Sequence, residues 1–337
     1  MHMDNFSLLL KPVGGACNLD CEYCFYKGHA AGTISEELLA HILESYCRLP
    51  LARHSIALQG GEPLLAPSYV FDMIEASPLD DISLQTNATL ITEELAEGFA
   101  RGGWLVGVSL DGDEAHCAAR GSSYARAVEG IRRLEKYGAD YNILCTVTKK
   151  NVHDLAAVYR FLRDNFATRS HQYIECTSSK LAISSDEWGK ALVDLFDEWS
   201  AHDVRTISIR LFDSIANELL RGMPTQCTFS NHCRHYLVVE HDGAVYPCDF
   251  YVDDAHRLGN IKSASWHDLL ECALRMEFSN MKSAISAKCM ACQYLRFCRG
   301  DCPRNRPQSG GASKLCEGYR LFFSHALPLL IKYCSCP

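Results

Sequence analysis

The chain has 337 residues, 47% of them hydrophobic and 22% charged, so it can bury a large core as one big domain or two fused units, and disorder is excluded. A formal net charge of -8 with no run of Lys or Arg offers no basic field for a phosphate backbone, which argues against nucleic acid. Residues 1–6 lack a basic stretch followed by an apolar one, and no later apolar run approaches the roughly 20 residues that span a bilayer, so the expectation is a cytoplasmic protein with no membrane segment.

From about residue 7 to about 210, short apolar runs alternate with segments of helical period, the pattern of repeated strand–helix units around a parallel sheet. The first strand, Phe6 to Leu10, leads into a loop carrying Cys17-Asn18-Leu19-Asp20-Cys21-Glu22-Tyr23-Cys24. A helix over Ser35 to Leu49 follows, then a strand over Ser55 to Leu58 that ends in Gln59-Gly60-Gly61-Glu62-Pro63. Ile82 to Gln85 reads as a strand, Thr92 to Arg101 as a helix, and Leu105 to Ser109 as a strand running into Ser109-Leu110-Asp111-Gly112. Ala125 to Tyr137, Val152 to Asn165 and Ser185 to His202 are helical, several opened by a Ser, Thr or Asn cap. Between and after them, Tyr141 to Val147, His171 to Ile174 and Thr206 to Arg210 read as strands. The pattern predicts an α/β fold, a βα barrel that is closed or partial.

After about residue 222 the segments become short, turn-rich and cysteine-rich, with a hairpin where His241-Asp242-Gly243 joins Tyr236–Glu240 to Ala244–Tyr246. Two units are therefore expected, residues 1–222 and 223–337. No Pro- or Gly-rich linker separates them, so close packing is expected.

The 18 cysteines are the outlying number. A disulfide scaffold suits a small secreted domain, whereas this is a long chain without a secretion signal, so metal ligation is favoured. Eleven fall in tight motifs: Cys17, Cys21 and Cys24 near the start, then Cys227, Cys233, Cys248, Cys289, Cys292, Cys298, Cys302 and Cys316. Cys47, Cys117, Cys145, Cys176, Cys272, Cys334 and Cys336 are scattered and read as structural or tail residues. Three thiolates in so short a loop can hold three irons of a cubane and leave the fourth open to a chelating substrate, whereas four would serve electron transfer; a zinc knuckle or a redox Cys-x-x-Cys is the alternative. The eight later thiolates suit two closed four-iron clusters or several zinc sites. Gly60 and Gly61 lack side chains, so backbone there can approach a ligand closely.

The cysteine loop, followed by Gln59-Gly60-Gly61-Glu62-Pro63, resembles the radical S-adenosylmethionine (SAM) superfamily. The array of later cysteines, with Tyr246-Pro247-Cys248-Asp249-Phe250-Tyr251, Leu258–Ile261, Phe297–Cys302 and Cys316–Phe323, resembles the SPASM domain of anaerobic sulfatase-maturating enzymes, and the similarity runs over nearly the whole chain. This resemblance implies a partial (β/α)6 barrel over 1–222 and a SPASM domain over 223–337. It implies three four-iron four-sulfur clusters, one on Cys17, Cys21 and Cys24, a second on Cys227, Cys233, Cys248 and Cys302, and a third on Cys289, Cys292, Cys298 and Cys316; the interleaving follows from the resemblance alone. Gln59, Gly60, Gly61 and Glu62 would lie along SAM, Tyr23 beside its adenine, Ser109 and Arg120 at ribose and carboxylate, with Thr177 a further contact. Gln85-Thr86-Asn87 matches a family turn whose usual next residue is glycine, where this chain has Ala88.

Tyr26 and Gln59 match positions that face the family's substrate, and Asp249 the position that accepts its proton. The reaction so implied is hydrogen abstraction by a 5'-deoxyadenosyl radical from Cβ of a Cys or Ser in a sulfatase polypeptide, giving formylglycine, with electrons supplied by a donor such as flavodoxin or ferredoxin. A maturase that crosslinks a ribosomal peptide through thioether or carbon–carbon bonds would use the same cluster framework and remains the alternative.

Overall fold

A computed structural model of the chain describes residues 6–177, 179–307 and 310–335. Cys336 and most of the N-terminal segment read above for a secretion signal lie outside the described residues.

Strands β1 (Ser7–Lys11), β2 (Ser55–Leu58), β3 (Asp81–Thr86), β4 (Leu105–Ser109), β5 (Tyr141–Val147), β6 (Ser170–Glu175) and β7 (Ser208–Ile209) pair in parallel in chain order. Helices α1 (Glu36–Cys47), α2 (Ser68–Glu75), α3 (Glu93–Arg101), α4 (Tyr124–Tyr137), α5 (Leu155–Asn165) and α6 (Ser185–His202) connect them. The caps expected from sequence form: Ser35 accepts from Leu38 N, Thr92 from Leu95 N, and Ser184 and Glu187 make a reciprocal capping box. The predicted strand Thr206–Arg210 is cut to two paired residues because helix α7 (Arg210–Arg221) starts directly from it. Six full-length strands and this short seventh thus make the parallel sheet, which stays open beyond β7.

Gly222, in the left-handed region at φ 69°, ends α7. The chain then returns to the sheet: β8 (Tyr236–Glu240) pairs in parallel with β1 on the side away from β2, and β9 (Ala244–Tyr246) and β10 (Gly259–Asn260) extend it antiparallel. The two units expected from sequence therefore share one ten-stranded sheet. The register sets Lys11 beside Glu240 across the shared ladder.

Helices α8 (Trp266–Glu271), α9 (Ala273–Met281), α10 (Ala287–Met290) and α11 (Leu295–Cys298) are short; Cys289 lies in α10, Cys298 ends α11, and Cys292 lies between them. The chain ends in α12 (Cys316–Ser335), which packs along α6 and α7 through Phe196, Phe212 and Phe322. One continuous core runs from Phe6, directly before β1, to Leu330 in α12, so the C-terminal unit is welded to the barrel by buried apolar surface. Among the described residues, no helix is long and apolar enough to cross a membrane.

Candidate active site and cluster-binding cysteines

The loops after β1, β2, β3 and β4 leave the C-terminal ends of parallel strands, the end at which βα folds gather their sites, while the Cys248–Asp249 loop follows the antiparallel β9. Cys17, Cys21 and Cys24 follow β1; Cys17 and Cys24 are exposed and Cys21 half-buried. Burial pushes the Cys17 and Cys21 thiols up from their ordinary value, while the Arg120 guanidinium pulls Cys21 back down.

Gly60 and Gly61 do permit a close approach, but in this structure the approach is to protein backbone. A Cβ on Gly61 would stand 1.9 Å from Ala16 O, and one on Gly60 2.7 Å from Gly14 O, with Gly60 also at φ +123°. Gly61 N donates to Gly14 O (2.8 Å) and Glu62 N to Ala16 O (2.7 Å), so this segment clamps the root of the cysteine loop. Gln59 is half-buried, and its main-chain N–H donates to Leu10 O (2.9 Å).

Glu62 is fully buried and accepts from Thr86 Oγ1 (2.7 Å), Asn87 N (2.8 Å) and Leu64 N (3.0 Å). Burial pushes its carboxyl up, and these donors pull it back. Asn87 in turn donates to Asn18 Oδ1 (2.8 Å), inside the cysteine loop. Ala88 takes the left-handed conformation (φ 63°) that a glycine would adopt at less cost.

Tyr23 donates to Asp111 Oδ2 and accepts from Arg120 Nη1 (2.6 Å), and Arg120 lies 4.0 Å from Asp111 with both side chains buried. Arg120 therefore faces a carboxylate of this chain. Asp111, in the strand-end motif, is thus tied to Tyr23 and Arg120 through one oxygen, and its other oxygen accepts from Thr146 N (2.9 Å). Ser109 Oγ accepts from Gln85 Nε2 (2.9 Å), and Thr177 Oγ1 donates to Asn305 Oδ1 (3.1 Å), which ties the end of β6 to the C-terminal unit.

Tyr26 is 2% exposed, its hydroxyl donating to Glu240 and its ring stacked on His29 at 4.2 Å. Burial, then the charge and hydrogen bond of Glu240, push its phenol far up. Its neighbour Phe25 is 45% exposed, and the Phe25 ring lies 4.5 Å from that of exposed Phe250. Arg304 sits 3.7 Å over the Phe250 ring, so an aromatic ledge spans the space between the cysteine loop and the Asp249 loop.

Asp249 is paired with Lys11, a contact that sequence reading missed. The Lys11 side chain is 1% exposed and that of Asp249 16%, and the ammonium also lies 3.9 Å over the Tyr26 ring. The available signal was a lysine ending an otherwise apolar strand, directly before Pro12.

The later cysteines fall into two groups. Cys289, Cys292, Cys298 and Cys316 line one cavity of about 500 Å³, with Tyr294, Tyr319 and Phe323 completing its wall. Cys227 stands near Cys233, Cys248 and Cys302, each of which feels its charge: burial and then Asp301 push Cys302 up to about 12, with Cys227 adding to it, Cys248 is raised by burial, Asp249, Cys302 and Cys227, and Cys233 by burial and Cys227. Each group brings four soft thiolates and no other ligand type, a set that suits an iron–sulfur cluster, whose cationic irons would hold these thiols deprotonated. All seventeen cysteines among the described residues are free; Cys117, Cys145 and Cys176 are buried, and Cys47, Cys272 and Cys334 half-buried.

The family model of the radical SAM superfamily matches residues 12–162, and that of an iron–sulfur cluster-binding domain, SPASM, matches residues 227–293. A cysteine-type anaerobic sulfatase-maturating enzyme of Clostridium perfringens is 32% identical, over 98% of this chain and 98% of that one. A serine-type anaerobic sulfatase-maturating enzyme of Bacteroides thetaiotaomicron is 30% identical, over 96% of this chain and 90% of that one. Among solved structures, native anSMEcpe with bound AdoMet and Cp18Cys peptide superposes with a TM-score of 0.91 at 31% identity, covering 98% of this chain and 99% of that one. Streptococcus suis SuiB, at 16% identity and a TM-score of 0.69, shares the fold.

Proposed function

The chain belongs to the family of anaerobic sulfatase-maturating enzymes, and from that premise we propose that it oxidises an active-site Cys or Ser of a sulfatase polypeptide to 3-oxoalanine, formylglycine. The observation that carries the reading is Asp249: a carboxylate one residue from a cluster-type cysteine, held by a buried lysine and still partly open. Such a group is placed to take the thiol or hydroxyl proton of a substrate side chain.

Cys17, Cys21 and Cys24 would hold a cluster that with SAM would supply radical hydrogen-abstraction chemistry, and the later cysteines would hold two further clusters that would supply electron acceptance. Residues 1–222 act as the radical SAM core and 223–337 as the SPASM domain. Tyr23, Gln59, Gly60, Gly61, Glu62, Ser109, Arg120 and Thr177 shape the SAM site, several by holding the cysteine loop and its neighbouring strand ends in place. Tyr26 acts from beneath, anchoring that loop to β8 through Glu240. Phe25 and Phe250 form the apolar ledge that excludes water beside the reacting Cβ. The reductant is a one-electron donor of the flavodoxin or ferredoxin class, and the cytoplasm, which keeps thiols reduced, is the working compartment.

The test is anaerobic incubation with SAM, reductant and sulfatase-motif peptides bearing Cys or Ser, read by peptide mass and by 5'-deoxyadenosine. Formylglycine on at least one peptide is expected. SAM cleavage that leaves both peptides unchanged, or gives a crosslinked product, overturns the reading.

A further inference from the structure

We propose that Lys11 is a positioning residue for the reaction: it fixes the Asp249 carboxylate so that one oxygen is held by the protein and the other stays free to accept the substrate proton. The inference rests on the role of Asp249 proposed above.

The argument begins in the sheet. β1 is apolar and its residues Leu8 to Lys11 are buried, yet it ends in a lysine whose side chain is 1% exposed. Burying an ammonium costs several kcal/mol unless it finds a counter-charge, so a lysine at this position needs a stated partner. Two carboxylates supply it from the C-terminal unit. Glu240 is the Cα partner of Lys11 in the β1–β8 register, but its Oε1 is taken by the Tyr26 hydroxyl. Asp249 Oδ1 receives the Lys11 ammonium directly.

The ring of Tyr26, itself fixed by Glu240 and His29, lies 3.9 Å from the same Nζ, so the ammonium is confined between an aromatic face and the carboxylate. Gly60, at the start of the segment that clamps the cysteine loop, presents its backbone to the Lys11 stem, where even a Cβ would come within 3.4 Å of Lys11 Cβ. Lys11 is therefore held on three sides by elements of the site. Nothing comparable holds Oδ2 of Asp249: among the described residues no hydrogen bond to it is found, and the side chain is 16% exposed. A carboxylate on a loop after β9 would otherwise sample several rotamers; the lysine selects one.

The perturbation is Lys11→Met, which keeps the stem and removes the charge. With Asp249 released, proton acceptance is misplaced while hydrogen abstraction is not. A misplacement of about 1 Å costs on the order of 10²-fold, so kcat for formylglycine should fall by about that factor with KM within about twofold of wild type. The ratio of 5'-deoxyadenosine to formylglycine should rise correspondingly, and a Cβ-deuterated peptide should still deliver deuterium into 5'-deoxyadenosine, with iron per chain unchanged.

The double variant Lys11→Met/Asp249→Asn has neither charge left unpaired, which guards against simple misfolding of the single variant. If Lys11 acts through Asp249, the double variant matches Asp249→Asn alone in rate. A Lys11→Met enzyme with kcat within about twofold of wild type overturns the proposal. So does a double variant much slower than Asp249→Asn, or a loss of iron and SAM cleavage that tracks the loss of formylglycine. If Asp249→Asn itself oxidises peptide at the wild-type rate, the base role proposed in the previous section fails first, and this result is distinct from a failure of Lys11 alone.

Discussion

Gly61→Ala tests whether the segment after β2 serves the site by holding the cysteine loop. The new Cβ would lie 1.9 Å from Ala16 O and 2.4 Å from Ala16 C, both backbone atoms that no side-chain rotation can move away. To reach a tolerable contact the two segments must part by about 1 Å. That displacement stretches the Gly61 N to Gly14 O (2.8 Å) and Glu62 N to Ala16 O (2.7 Å) bonds past hydrogen-bonding range. Two lost bonds at about 1 kcal/mol each, with about 1–3 kcal/mol of overpacking, give a cost of about 3–5 kcal/mol concentrated at the root of Cys17–Cys24.

The variant should therefore lose about four irons per chain and nearly all 5'-deoxyadenosine formation while keeping the iron of the C-terminal groups. Iron and sulfide analysis after anaerobic reconstitution, with chromatographic assay of 5'-deoxyadenosine, reads both. Gly98→Ala is the control: it lies within α3, where the nearest atom to a new Cβ is 3.9 Å away, and alanine there should stabilise by about 0.5–1 kcal/mol with activity unchanged. Full iron and wild-type SAM cleavage in Gly61→Ala would refute the clamping argument.

Replacing Asp249 by Asn should lower peptide oxidation by on the order of 10²–10⁴-fold with iron content and SAM binding near wild type; undiminished formylglycine would remove the base role. Cys302→Ala and Cys316→Ala should each cost about four irons and the double variant about eight, because the two thiols belong to different groups; a double variant no poorer in iron than either single would place them on one cluster. His171 is 1% exposed, and burial pushes its imidazole from the ordinary 6.5 down to about 4. Between those values the unfolded chain holds a proton that the fold refuses, so stability present above pH 6.5 drains as pH falls toward 4, by about 3 kcal/mol at most. Thermal melts of wild type and His171→Phe across that range should show a shallower pH dependence in the variant, and equal slopes would contradict it.

Most of the barrel was legible because its signals are local. Alternation of apolar runs and helical period placed Ser55–Leu58, Leu105–Ser109, Tyr141–Val147 and Ser185–His202 at their observed bounds, and caps at Ser35 and Thr92 act within four residues of themselves. Three of the missed helices, α2, α7 and α12, lack such a cap signal, whereas α8 and α10 do open on Ser265 and Ser286 but are too short to show a period. α2 begins after Pro67 with no side-chain cap, α7 springs from the end of a strand, and α12 carries Gly318 and Pro328, residues that disfavour a helix but are accommodated where it packs against α6 and α7.

The spacing of Cys17, Cys21 and Cys24 was legible because it is local, whereas the grouping of Cys302 with Cys227, and of Cys316 with Cys289, joins distant positions and came from the family resemblance alone. What the sequence by itself determined is thus the chemistry: which thiols, on which kind of loop, with Asp249 beside one of them. The tertiary structure decided how those groups are held. Lys11 and Asp249 stand 238 residues apart, Tyr26 and Glu240 214, and Thr177 and Asn305 128. Each of these pairs joins the barrel to the C-terminal unit, and the first two depend on β8 returning to the free edge of β1 in one register. Periodicity gives a strand its two faces but not its neighbour, so a buried lysine at the end of β1 had no visible partner until the sheet was assembled.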